Sequence, residues 1–128
     1  LQVNVKRVRR CSAEEYDERD YMPVSKKNND EMYAQLMAYI ESIENTYLKT
    51  LLKKFFVEDK IFVQSFRKSS AAKTVHHGFI GGLLEHTLGV AKLCDFYCTQ
   101  YPVLNRDLLM TAAICHDMGK TREQKSLT

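Results

Sequence analysis

The sequence predicts an all-α helical bundle preceded by one short strand. Three observations carry that expectation. From Met32 onward, apolar residues recur at three- and four-residue spacing, the pattern of helices that bury one stripe. Alternation of apolar and polar residues, the pattern of a half-buried strand, is convincing only in "LQVNVKRVRR" at the start. The connections between periodic stretches are short, as between antiparallel neighbours in a bundle.

Taken in order, Leu1, Val3 and Val5 mark the strand, which needs a partner from outside this chain or a berth on the helices. Residues 11–29 then look like a linker, rich in charge and running into "SKKNND". Asn29 or Asp30 can cap a first helix, whose apolar positions Met32, Leu36, Ile40 and Ile43 share one face. "ENT" at 44–46 interrupts it. The next stretch carries Leu48, Leu51, Leu52, Phe55, Phe56, Phe62 and Phe66, with a bend expected near "EDK". This stripe is expected to be bundle core; the alternative is a partner surface that joins two copies through Phe55, Phe56 and Phe62. A long helix follows from about Phe79 to Thr99, through Leu83, Leu84, Leu88, Ala91, Leu93 and Phe96. "QYPVLN" breaks it. Asn105 can cap the next helix, through Leu108, Leu109, Ala112 and Ala113 to His116, with Gly119 as terminator.

Composition narrows the class. The 128 residues are one domain, or one domain with the edge of another, and suffice for a core without disulfides. With 45% hydrophobic and 27% charged residues the chain has an ordinary globular balance. No apolar run approaches the ~18–20 residues of a membrane span, and no signal-peptide pattern is visible. The net charge of +3 is too small by itself to imply nucleic acid, although "VKRVRR" concentrates four positive charges. Of the cysteines, Cys94, Cys98 and Cys115 sit in apolar helical patterns, where a free thiol behaves as a small hydrophobe. Cys94 and Cys98 at i, i+4 could join a histidine around zinc, but the usual Cys-x2-Cys knuckle is absent. Reduced thiols in a cytoplasmic protein are the simpler expectation. The chain opens on Leu1 and closes on the polar "KTREQKSLT", which suggests a piece of a longer protein. Residues 1–20 would be the end of an upstream module with its linker, and 21–128 the helical domain.

Two short stretches carry the chemistry. "HHGFIGGLLEH" at 76–86 holds three of the four histidines, and "CHDMGK" at 115–120 holds the fourth beside an aspartate. From His86 the long helix climbs about thirteen residues, roughly 20 Å. The next helix returns about eleven residues to His116, roughly 16 Å. A hairpin with nearly equal arms should set His86 opposite His116 and Asp117. Gly82 and Gly89 flank His86 on one face, which suggests that something fits close to the backbone there. Two imidazoles and a carboxylate suit zinc, manganese, iron or a similar ion. Taken singly these residues are ambiguous, since a histidine on an apolar face is usually core and an aspartate at a helix end usually caps. Ser69 and Ser70 lie near His76 and His77, but no nucleophile elbow surrounds them, so a hydrolase triad is not indicated.

A histidine in one helix and a His-Asp pair in the next resemble the HD superfamily of metal-dependent phosphohydrolases. The fuller wording is more specific. "SAAKTVHHGFIGGLLEHTLGVAKLCDFY", "YPVLNRDLLMTAAICHDMGKT" and, upstream, "FFVEDKIFVQSF" resemble the YhaM-type 3′→5′ exoribonucleases, over roughly residues 1–123. The resemblance implies that His86, His116 and Asp117 are metal ligands, that Lys120 contacts a substrate phosphate, and that His77 serves as a phosphate-side or supporting group. Glu85 is expected to be a solvated helix glutamate, with the orientation of a ligand as its alternative role. It implies a divalent ion, manganese in the active form, and release of nucleoside monophosphates from the 3′ end of single-stranded RNA, with DNA as a second substrate. It also makes "LQVNVKRVRR" the closing strand of an upstream OB-fold module. The family's final aspartate has no counterpart after Asp117, so the chain alone is expected to bind metal weakly or not at all and to be inactive. The competing expectations are hydrolysis of free nucleotides, an inert nucleic-acid-binding or regulatory module, and a purely structural homo-oligomer.

Overall fold

A computed structural model describes residues 7–12, 14–15, 24–71 and 79–123. The described part is helical: α1 (Asn29–Glu41), α2 (Thr46–Lys53), α3 (Lys60–Lys68), α4 (Gly82–Gln100), α5 (Arg106–Cys115) and a single turn, α6 (Lys120–Glu123). Most of the expected strand, residues 1–6, lies outside the described residues, and residues 7–10 take no regular structure. Among the described residues there is no sheet, only one parallel bridge between Val24 and Ile80.

Side-chain caps set most of the helix starts. Asn28 caps α1, one residue before the expected position, and its carboxamide oxygen accepts from the amides of Asp30 and Glu31. All three of Asn28, Asn29 and Asp30 are good caps, so the local sequence could not choose between them. Asn29 is instead engaged with Arg67 at the end of α3. Asn45 caps α2 and Asn105 caps α5, the latter as expected. The bend expected near "EDK" is present. Here α2 widens into a π-helical turn over Lys54–Glu58 before Asp59 breaks the chain and caps α3. A wide turn leaves carbonyls poorly paired, and the Tyr33 hydroxyl donates to that of Phe56. Burial of Tyr33 pushes its phenol pKa up, as the donor role requires.

The core is the stripe expected from the periodicity. Leu36, Ile40, Ile43, Leu52, Phe56, Phe66, Leu83, Leu84, Ala91, Met110 and Ile114 are almost completely buried. Phe56 stands edge-on to Phe62 and Phe66, with centroids 5.3 and 5.0 Å away. Burial of Phe56 and the packing of Phe55 and Phe62 on the core correct the alternative in which these rings join two copies. Leu93 and Phe96, counted in the apolar pattern of α4, are exposed instead. The central unit is the antiparallel hairpin of α4 and α5, with α1 and α3 packed on α4 and α2 on α5.

Arg106 ties the hairpin tip to the α1–α2 turn by donating to Asp95 and Ser42, and the Asp107 carboxylate accepts from the amides of Glu44 and Asn45.

Among the described residues, one buried side-chain atom is unsatisfied: the Thr87 hydroxyl on α4 is fully buried and finds no hydrogen-bond partner there. A buried hydroxyl without a partner costs about 1–3 kcal/mol, and valine has nearly the same shape. Thr87→Val is therefore expected to raise stability by about 1 kcal/mol, seen as a higher urea midpoint at unchanged slope. A lower midpoint would show that a buried water satisfies the hydroxyl.

Candidate metal centre

Two local features place the site. Gly81 adopts φ +81, a left-handed conformation that starts α4 abruptly. His86 follows in the second turn of α4. On the return arm, at the same open end of the hairpin, α5 closes on His116 as its C-terminal cap residue, and residues 116–119 turn away into α6. That break lets His116 and Asp117, adjacent in sequence, face the same point.

The estimate of equal hairpin arms matches what is found. His86 Nε2 and His116 Nε2 are 3.2 Å apart. The Asp117 Oδ2 atom lies 3.4 Å from each of them. His116 Nδ1 is 2.7 Å from the Ala113 carbonyl, an arrangement that makes it the donor and leaves the Nε2 lone pair facing His86 and Asp117. Asp117 has 18% of its side chain exposed, against 32% for His86 and 36% for His116, so the site opens to solvent on its imidazole side.

This triangle fits a small divalent cation. Donors about 2.1 Å from one ion stand about 3.0 Å apart at adjacent octahedral positions and about 3.4 Å apart at tetrahedral ones. The observed edges of 3.2, 3.4 and 3.4 Å fall in that window. Among the described residues, His86, His116 and Asp117 are the one group of three or more potential metal donors that converge. Cys94 and Cys98 gain no third donor there, and burial raises the pKa of Cys94, which opposes a thiolate. Burial likewise holds Cys115, next to His116, as a neutral thiol.

Lys120 reaches back over one turn, and its Nζ donates to Asp117 Oδ2 at 2.6 Å. The lysine expected on a substrate phosphate thus rests on the site's own carboxylate. His77, with its neighbour His76, lies outside the described residues. At Gly89 an added Cβ would meet nothing within 4 Å, so no protein atom crowds that stretch of backbone. The constrained glycine is Gly81, where a Cβ would approach the Asn29 carboxamide to 3.3 Å on a backbone that already disfavours side chains.

Residues 83–127 match the family model described as the HD domain. They form part of an HD domain. The HD match spans both arms of the hairpin and all three converging donors, and HD domains depend on divalent metal ions. Over 123 residues, 95% of this chain, the sequence is 29% identical to "3'-5' exoribonuclease YhaM" of Listeria innocua serovar 6a. Over 104 residues, 81% of the chain, it is 31% identical to the protein of that name from Geobacillus sp. (strain WCH70) and 30% identical to that of Bacillus pumilus (strain SAFR-032). The chain spans 38% of the Listeria protein and 31% and 32% of the other two. No solved structure matches the chain.

The feature of the HD site that sequence reasoning missed is Glu85. Expected as a solvated residue, it has only 15% of its side chain exposed and is gripped from the opposite end of the chain. Ser25 Oγ donates to one carboxylate oxygen at 2.6 Å, and Lys27 Nζ lies 2.7 Å from the other. The partners are some 60 residues away in sequence, so no local pattern announces them.

Proposed function

We propose that the whole protein to which this chain belongs is a metal-dependent 3′→5′ exoribonuclease, acting in the cytoplasm on single-stranded RNA and secondarily on DNA. The observation that carries the proposal is the convergence of His86, His116 and Asp117 within one HD domain. The names of the relatives supply the direction of attack and the polymer.

His86, His116 and Asp117 would hold the ion, with manganese as the ion implied by the resemblance. When bound, such an ion supplies an acidified water and offsets negative charge on the scissile phosphate. The chain's own residues do the rest. The Ala113 carbonyl fixes the His116 ring so that Nε2 faces the site. Lys120, a mobile cation on a four-carbon stem, is placed to exchange the Asp117 carboxylate for a phosphate oxygen as substrate arrives. His77 is assigned to the phosphate side, and residues 1–20 to the edge of a nucleic-acid-binding module whose basic residues follow the backbone. Assembly into a homo-oligomer belongs to the same proposal.

The test uses the full-length protein, 5′-labelled RNA and a sequencing-type gel, with and without manganese. A manganese-dependent ladder that shortens from the 3′ end, and vanishes in Asp117→Ala, is the expected result. Intact RNA under every condition would overturn the proposal and make free nucleotides the next substrates. A ladder that persists in the variant would move the chemistry away from this site.

A further inference from the structure

The first turns of α4 are held by more contacts than a helix start requires. Backbone bonds run from Gly81 to the Lys68 carbonyl and from Leu83 to the Ser69 carbonyl, which fix the helix to the end of α3. Ser25 donates its amide to the Ile80 carbonyl, and its hydroxyl to Glu85. Lys27 pairs with the second carboxylate oxygen, while its own amide donates to the Ser25 hydroxyl. Asn29 exchanges hydrogen bonds with Arg67, donating to its carbonyl and accepting from its Nε. Gly81 lies where these segments meet, and its Cα leaves the room that Asn29 and Ser25 occupy.

Glu85 is the only side chain among these that sits on α4 itself, one residue before the ligand His86. Helix rotation is the motion it can oppose. An imidazole nitrogen stands about 6–7 Å from the helix axis, so a 10° rotation of α4 moves it by about 1 Å. Metal–ligand distances tolerate about 0.2 Å. A tether on the adjacent residue therefore acts at a scale that metal binding feels and that overall packing barely registers.

We propose that Glu85 is a positioning residue for the metal centre: held by Ser25 and Lys27, its carboxylate fixes the rotation of α4 and thereby sets His86 against His116 and Asp117. The proposal rests on the reading of these three residues as metal ligands. It assigns the segment 24–29 a share in metal affinity, although it supplies no ligand.

The test is a cobalt(II) titration of the full-length protein, following both affinity and the ligand-field absorption spectrum. Glu85→Ala is expected to weaken binding about tenfold, within the range of losing a group that orients a metal ligand, and to alter the spectrum. Ser25→Ala should weaken it less, Ser25→Thr should restore it, and the Ser25→Ala/Glu85→Ala double variant should fall short of the sum of the two. Asp107→Ala is the structural control: it loosens the α1–α2 turn and should lower the melting temperature without changing the spectrum. Unchanged cobalt affinity and spectrum in Glu85→Ala, with His116→Ala abolishing binding, would overturn the positioning role alone. Equal losses in Glu85→Ala and Asp107→Ala would reduce it to general stability and likewise overturn it. No binding by the wild-type protein would remove the metal centre and the proposal with it. Should Glu85→Ala fail to fold, Glu85→Gln, which retains the bond to Ser25 but not the charge, is expected to lie between wild type and Ser25→Ala.

Discussion

His116→Ala is expected to abolish metal binding while leaving the fold in place. The residue caps α5 with its backbone and contributes its ring to the site, so alanine keeps the helix end and deletes one donor of three. Two donors remain, His86 on α4 and Asp117 in the turn after α5, 3.4 Å apart, with Lys120 already on Asp117. Losing a group that merely orients a ligand costs about 10–100-fold in affinity, so losing the ligand itself should exceed the upper end of that range. The measurement is thermal unfolding with added metal. A ligand at 100 times its Kd stabilises the folded state by about 2.7 kcal/mol, a shift of roughly 10 °C for a domain of this size. The wild-type protein should show that shift and His116→Ala none, at closely similar melting temperatures without metal. An equal shift in both would place the bound ion elsewhere.

The second large effect concerns stability. Phe56→Ala is expected to cost about 3–5 kcal/mol, the usual range for emptying an aromatic site in a core. Phe56 is completely buried, meets two further rings edge-on, and lies on the π-helical turn whose carbonyl receives Tyr33. A domain has only about 5–15 kcal/mol in total, so the variant should be partly unfolded at 37 °C. Phe56→Leu keeps most of the volume and should cost about 1–2 kcal/mol. Urea unfolding of the two variants decides the point. A loss below about 1 kcal/mol in Phe56→Ala would mean that the surrounding rings collapse into the space.

The hairpin was legible because its information is local. Helical spacing gives the face of α4 and α5, the cap at Asn105 gives the start of the return arm, and the rise per residue gives the height of each histidine. From those alone His86 and His116 had to meet. The core stripe was legible for the same reason, since Leu36, Ile40, Phe56 and Phe66 fall at helical intervals. What could not be seen depends on pairs distant in sequence. The bond from Ser25 to Glu85 spans 60 residues, and that from Asp107 to the α1–α2 turn more than 60. Either carboxylate, viewed in its own helix, looks like an ordinary solvated side chain. Lys120 illustrates a third case. Its distance from Asp117 follows from helical spacing, but whether it serves the carboxylate or an incoming phosphate is a competition between charges that only the assembled site displays.

That competition has a consequence for the charge of the site as a whole. Two imidazoles that bind metal as neutral ligands, one carboxylate and one ammonium sum to zero. The resting site therefore presents no net negative charge to draw a cation in, unlike a pocket lined by carboxylates. Conversely, a divalent ion held there keeps its full double positive charge, and Lys120 remains beside it. The centre would then stand as a strongly positive point on a protein that is otherwise only mildly basic, and a polyanion would be drawn to the chemistry rather than to the surface at large.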